Sequence, residues 1–214
     1  MSKIIPIFFL IVGLAALYQV ASPILSYKLW EVKLHQDLDT LISPQKGKEQ
    51  VLGISIEKDS ENFSFFNSNI KRNTPALFNV FLLTIPKLSI FDAKVFVDSN
   101  DLQKGLAHLA GSALPGEEGN VFISGHSALP ILFNGNKNYG AIFANLNKAN
   151  KGDEIKVKVL DTEFIYTVSD IKIISPNDLS VIQPPDSTGR YITLMTCVPP
   201  GLNTKRLIVI GKLK

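Results

Sequence analysis

From Phe81 onward the chain is a succession of short apolar runs cut by turn residues, and this pattern limits its folds more than any other feature. Ile155, Val157 and Val159 alternate with Lys156 and Lys158, and Asp161-Thr162 turns the chain into a second alternating run at Phe164, Tyr166 and Val168. Successive side chains of a strand point to opposite faces, so this alternation describes strands with one buried face. Val95 and Val97 share a face within residues 94–98, and Val121-Phe122-Ile123 is an apolar run between Gly119 and Gly125. Further runs at 81–85, 88–91, 191–197 and 207–210 bring the total to about eight strands. Helical patterns in this part are brief, at 101–109 and 141–146. Short strands with Gly and Pro turns make an all-β sandwich or closed barrel of residues 81–214. No glycine-rich loop lies between a strand and a helix, which argues against a nucleotide enzyme.

The N-terminal part is of a different kind. From Ile4 to Tyr27 there is no charged residue, and roughly 20 mainly apolar residues suffice for a helix to cross a bilayer. A cleaved signal peptide is the rival reading, but it needs small residues around its cleavage site. Gln19-Val20-Ala21 has a glutamine where a small residue belongs. A retained anchor over residues 1–27 is therefore expected. Lys3 before the run, and Lys28 and Lys33 after it, leave the positive-inside rule nearly silent. A single span before a large domain most simply gives a cell-membrane protein with its N-terminus inside and the domain outside. Leu34, Leu38, Leu41 and Ile42 then form a helical stripe that ends at Pro44 and Gly47. Residues 45–75, rich in Lys, Asn, Ser and Glu, read as irregular. Residues 28–80 thus make a juxtamembrane helix and a linker that could serve as a lid. With 22 Lys+Arg against 19 Asp+Glu, the net charge of +3 is too small to imply a nucleic-acid partner.

There is one cysteine, so no intramolecular disulfide can form, and the question is whether Cys197 works. A lone cysteine is most often a small buried hydrophobe. Cys197 ends the run Thr193-Leu194-Met195-Thr196-Cys197, and Pro199-Pro200-Gly201 stops the strand behind it. A strand end is a rigid platform beside a groove, which a nucleophile needs. Of the three histidines, His35 falls in the stalk and His108 lies among apolar residues, as a packed and hydrogen-bonded histidine would. His126 follows Ile123-Ser124-Gly125 at another strand end, and a nearby imidazole can activate a thiol. Arginine is scarce, and Arg206 opens the last strand shortly after Cys197. Its always-charged planar fork suits an oxyanion; the plainer reading is a surface arginine beside a carboxylate.

Three segments resemble the sortase family of membrane-anchored cysteine transpeptidases. They are Ile85-Pro86-Lys87-Leu88; Gly111-Ser112-Ala113-Leu114-Pro115-Gly116-Glu117, continuing through Gly119-Asn120-Val121 to Gly125-His126; and Thr193-Leu194-Met195-Thr196-Cys197 with Asn203-Thr204-Lys205-Arg206. The resemblance implies an eight-stranded sortase-like β-barrel with short helices after a transmembrane helix. It implies Cys197, His126 and Arg206 as the catalytic set, with Ser124 and Thr196 lining the substrate groove. Its partners would be surface proteins bearing a C-terminal, LPxTG-like sorting signal, and an amine of the cell envelope that accepts the acyl group. The segment 175–190 corresponds to the loop that shapes signal recognition. Residues 28–80 lack the Asp-Pro-aromatic lid motif of pilin-polymerising members, so an anchoring enzyme is expected over a pilin polymerase. Residues 127–139 read as an insertion after His126. Glu117 and Glu118 are adjacent, but no convincing ligand set emerges, and no metal or cofactor is expected. A hydrolytic cysteine peptidase and a non-catalytic, membrane-tethered β-domain that binds a surface partner remain the alternatives.

Overall fold

In the computed structural model of the chain, residues 4–37, 54–58, 64–68, 70, 76–128, 132–133, 138–200, 202 and 204–214 are described. Two units can be distinguished, Met1–Gln45 and Lys46–Lys214. The first holds one continuous helix, α1 (Ile4–Asp37). Ile5, Phe8, Phe9, Leu10, Leu14 and Leu17 are all exposed on it. A helix apolar on all sides suits a lipid surround, and Ile5–Leu34 is long and apolar enough to cross a membrane. The anchor and the juxtamembrane helix, expected as separate pieces, are one element. Nothing after Tyr27 breaks the helix, and Lys28 Nζ bonds Glu31 Oε2 at 3.1 Å one turn on. Leu38, Leu41 and Ile42 lie outside the described residues.

The second unit is built on a closed eight-stranded barrel. Its strands are β3 (Val80–Ile85), β4 (Ile90–Phe96), β5 (Leu106–His108), β6 (Gly119–Ser124), β7 (Glu154–Val159), β8 (Thr162–Ile174), β9 (Arg190–Val198) and β10 (Lys205–Leu213). Around the barrel the order is β10-β8-β7-β3-β4-β5-β6-β9, closed by β9 on β10. Pairing is antiparallel except for β4 with β5 and β6 with β9. Closure leaves no unpaired sheet edge. The expected number of strands is met by a different set. The runs at 88–91 and 94–98 join into β4, because Pro86–Leu88 forms a 3₁₀ turn and Asp92 takes a positive φ of 52° without ending the strand. The helix expected over 101–109 is instead a loop and β5. Leu106, Ala107 and His108 are all buried, and pairing with β4 and β6 outweighs a weak local helical pattern. Residues 141–146 adjoin 3₁₀ turns at Tyr139–Ala141 and Leu146–Lys148. Of the expected insertion, residues 129–131 and 134–137 lie outside the described residues.

Before the barrel, β1 (Ile54–Lys58) and β2 (Ser64–Ser68) form an antiparallel pair where irregular chain was expected. Polar residues dominate this stretch, and its β pattern rests on Ile54, Ile56 and Phe66, too few to outweigh the Asn, Ser and Lys between them. Phe66 supplies the anchor. Its ring is 4% exposed and lies 5.7 Å from that of Phe122, in a cluster with Met195, Ile208, Val181 and Ile182. Ile54 and Ile56 pack against the same cluster.

Strand alternation divides β9 between two faces. Thr193, Met195 and Cys197 share the face of that outer cluster, while Ile192, Leu194 and Thr196 turn to the other side. Leu194 is fully buried. Leu194→Ala should lower stability by about 2–5 kcal/mol, read as a fall in thermal midpoint; an unchanged midpoint would contradict this position.

Candidate active site

The end of β9 and the start of β10 bring two of the expected residues face to face. In an unbroken register, Arg206 is the direct cross-strand partner of Cys197. Side chains so opposed lie on one face, with Cβ atoms about 4.5–5.5 Å apart. Both are buried: Cys197 is 1% exposed and Arg206 0%. Arg206 donates from one terminal nitrogen to the Lys205 carbonyl at 3.0 Å. Burial lowers the pKa of its guanidinium, and the neighbouring Cys197 sulfur, as thiolate, opposes that shift. A fixed cation beside a thiol favours the thiolate in return.

His126 reaches the same end of the sheet along β6. In the parallel pairing of β6 and β9, Ser124 lies beside Met195. Two residues further along each strand are His126 and Cys197. Two bonds extend this alignment beyond the last ladder pair: Gly125 N–H donates to Met195 O at 3.1 Å, and Thr196 Oγ1 donates to Gly125 O at 2.8 Å. The His126 carbonyl accepts from Phe143 N–H at 3.0 Å, so its backbone is held on both sides. Its side chain is half-buried. Gly125 is required here because a Cβ would sit 2.6 Å from Leu106 Cδ2 and from Phe143 Cδ2.

The two expected groove residues part company. Ser124 is on the groove face, lining a small cavity with Phe66, Leu102 and Ala107. Leu102 and Ala107 also pack on Cys197. Thr196, expected beside it, points the opposite way, because it neighbours Cys197 on a regular strand. Its hydroxyl donates to the Gly125 carbonyl and so ties β6 to β9.

His108 is fully buried. Its Nε2 lies 3.0 Å from the Ala113 carbonyl, which can only accept, so that nitrogen carries the proton. Nδ1 accepts from Asp98 N–H at 3.3 Å. This is a histidine that fastens loops, as its apolar neighbours suggested. Among the described residues, no group of three or more His, Cys, Asp or Glu could hold a metal ion.

Two polar residues of this face belong to the segments that resemble the family but were assigned no role from the sequence. Asn120 and Thr193 are both buried, and Thr193 Oγ1 donates to Asn120 Oδ1 at 2.8 Å. The Asn120 amide nitrogen donates to the carbonyls of Val181 and Ile182, at 3.1 and 3.0 Å. The signal available was a single amide at the start of the apolar run 120–123, on a face that must be buried. The loop they hold, residues 175–189, carries further bonds, among them an internal one and one to β9. Asp178 accepts from Ser180 N–H at 3.0 Å, and Asp186 accepts from the Tyr191 hydroxyl. That hydroxyl is the main reason the Asp186 carboxyl is held below the usual range.

Comparison with known proteins bears on the family and the fold. Residues 83–214 match the Sortase domain family. The chain is 27% identical to Sortase D of Bacillus subtilis strain 168, over 99% of this chain and 98% of that protein. Among solved structures it is similar to a Clostridium perfringens Sortase D5 transpeptidase, at 30% identity and a TM-score of 0.53, covering 64% of this chain and 79% of that one. A lid mutant of Sortase A from Corynebacterium diphtheriae superposes with a TM-score of 0.55 at 29% identity, covering 64% and 70% of the two chains. With its barrel and most of its length matched in this way, the chain belongs to the sortase family of cysteine transpeptidases.

Proposed function

We propose that this protein joins surface proteins to an amine of the cell envelope through a thioester on Cys197. The observation that carries the reading is the register pairing of Arg206 with Cys197, with His126 aligned at the same end of β6. Acyl transfer needs a nucleophile, a proton carrier and an oxyanion stabiliser, and these three side chains supply one each. The Cys197 thiolate attacks the carbonyl of the scissile peptide bond in an LPxTG-like signal. The Arg206 guanidinium donates to the oxyanion that forms. His126 as imidazolium gives its proton to the leaving amine, and the bond breaks to leave a thioester. The incoming amine attacks that thioester, neutral His126 takes its proton, and Cys197 returns to thiolate. In this reading α1 anchors the enzyme in the membrane, with its N-terminus inside and the barrel outside.

The β1–β2 hairpin acts as a lid. Phe66 rests on the face of β6, β9 and β10 that carries Ser124, Cys197 and Arg206. Cys197 is only 1% exposed, with Leu102 and Ala107 packed on it and Phe66 sharing a small cavity with those two residues, so a peptide carbonyl can reach it only once this cover moves. Burial of one Phe side chain is worth about 1.5–3 kcal/mol, enough to keep a hairpin closed yet displaceable.

Incubating the full chain in detergent with LPxTG-like peptides and an amine tests the function. A ligated product is expected; cleavage without ligation would point to a peptidase, and no reaction at Cys197 to a binding domain. Cys197→Ala should abolish product. Arg206→Lys keeps the charge but loses the planar fork, and should lower turnover by about 10²–10³-fold. Near-wild-type turnover by either variant would sink the assignment. For the lid, Phe66→Ala should speed alkylation of Cys197 by iodoacetamide by about tenfold; an unchanged rate would remove the hairpin from this role.

A further inference from the structure

The mechanism above uses three side chains and leaves Asn120 and Thr193 without a task. Both are polar and buried on the groove face, Asn120 at 4% exposure and Thr193 at 1%. Buried amides are retained where they are fully bonded, and this one is: it accepts from Thr193 and donates twice to one turn, at Val181 O and Ile182 O. Those two donations bridge from β6 to a distant segment of chain. Val181 and Ile182 belong to the same apolar cluster as Phe122, Met195 and Ile208, on the face that carries Cys197 and Arg206. Asn120 and Ile182 also both line a cleft of about 440 Å³ bounded by Gly111, Glu117 and Pro184. The amide therefore couples the floor of this face to one wall. Thr193, by donating to Oδ1, fixes which end of the amide faces the two carbonyls.

We infer that Asn120, oriented by Thr193, is a positioning residue for the peptide substrate: it holds the Val181–Ile182 turn at the spacing an extended chain needs. This rests on the transpeptidase reading and adds to it a determinant of peptide affinity outside the Cys197, His126 and Arg206 set. It touches none of the reacting atoms, so its loss should weaken peptide binding and leave the reactivity of the thiol alone.

Asn120→Asp is the sharpest probe. The shape and the acceptor for Thr193 stay, while at neutral pH both donations to the turn become repulsions. The full chain in detergent should show KM for the LPxTG-like peptide raised about tenfold, with kcat within about twofold of wild type. A protonated carboxyl can donate once, so the ratio of variant to wild-type KM should shrink as pH falls from about 8 to about 5.5. Thr193→Val should raise KM by a smaller factor, and Thr193→Ser, which keeps the hydroxyl, should restore it. Alkylation of Cys197 by iodoacetamide should be unchanged throughout. If Asn120→Asp does not fold, the Thr193 pair carries the test. Wild-type KM in these variants, or a loss confined to kcat, would overturn the inference. Should the wild-type chain turn over no peptide at all, the functional reading fails first. Amide exchange in residues 178–184 then decides the clamp: faster exchange in Asn120→Asp than in wild type supports it, and equal rates refute it.

Discussion

The antiparallel pairing of β9 with β10 is the constraint on which the rest of the molecule depends. It closes the barrel, and the unbroken register that closes it also sets Arg206 opposite Cys197. A slip of one residue would send one of the two to the opposite face. The slip is resisted by burial on both sides: Leu194, Leu207 and Val209 face one way, and Met195 and Ile208 face the other, all nearly inaccessible to water. The site is thus held by the same packing that makes the barrel. The parallel neighbour β6 adds His126 by the same means, with Thr196 bonding across at the last step. Rigid strand ends hold catalytic geometry better than free loops do.

A site built this way is well ordered and, in the described state, covered. Leu102 and Ala107 pack on the thiol, and Phe66 lies on the same face two residues along each strand. On the proposed function, two kinds of element meet on one barrel face: strands that would fix the chemistry, and peripheral segments that would govern access to it. The hairpin and the loop 175–189 belong to the second kind. The loop is held by the Asn120 and Asp186 hydrogen bonds and by Leu179, Val181 and Ile182 in the apolar cluster, and the hairpin packs on that cluster through Phe66, Ile54 and Ile56.

Much of this was legible in the chain, and what was not has a physical reason. The alternation in 155–159 and 164–168 reads directly as strands because one face of each is buried. Cys197, His126 and Arg206 stand out because each sits at the boundary of an apolar run, and their family pattern is specific. Leu106–His108 did not read as a strand, since three residues carry no period and its pairing partners come from far along the chain. The hairpin was missed because its apolar positions are few and its stability comes from Phe122 and the cluster around it. Thr196 adjoins Cys197 in sequence, but on a strand neighbouring residues lie on opposite sides of the sheet. Asn120 looked ordinary until its partners at Val181 and Ile182 were seen.

The central claim is that Cys197 carries the acyl group. Intact-mass spectrometry of the full chain, quenched in acid shortly after mixing with an LPxTG-like peptide and no amine, tests it most directly. The account expects a mass increase equal to the peptide's acyl fragment, lost on treatment with hydroxylamine and mapped by digestion to the peptide containing Cys197. Product formation by this chain without any such adduct, or an adduct at another residue, would contradict it.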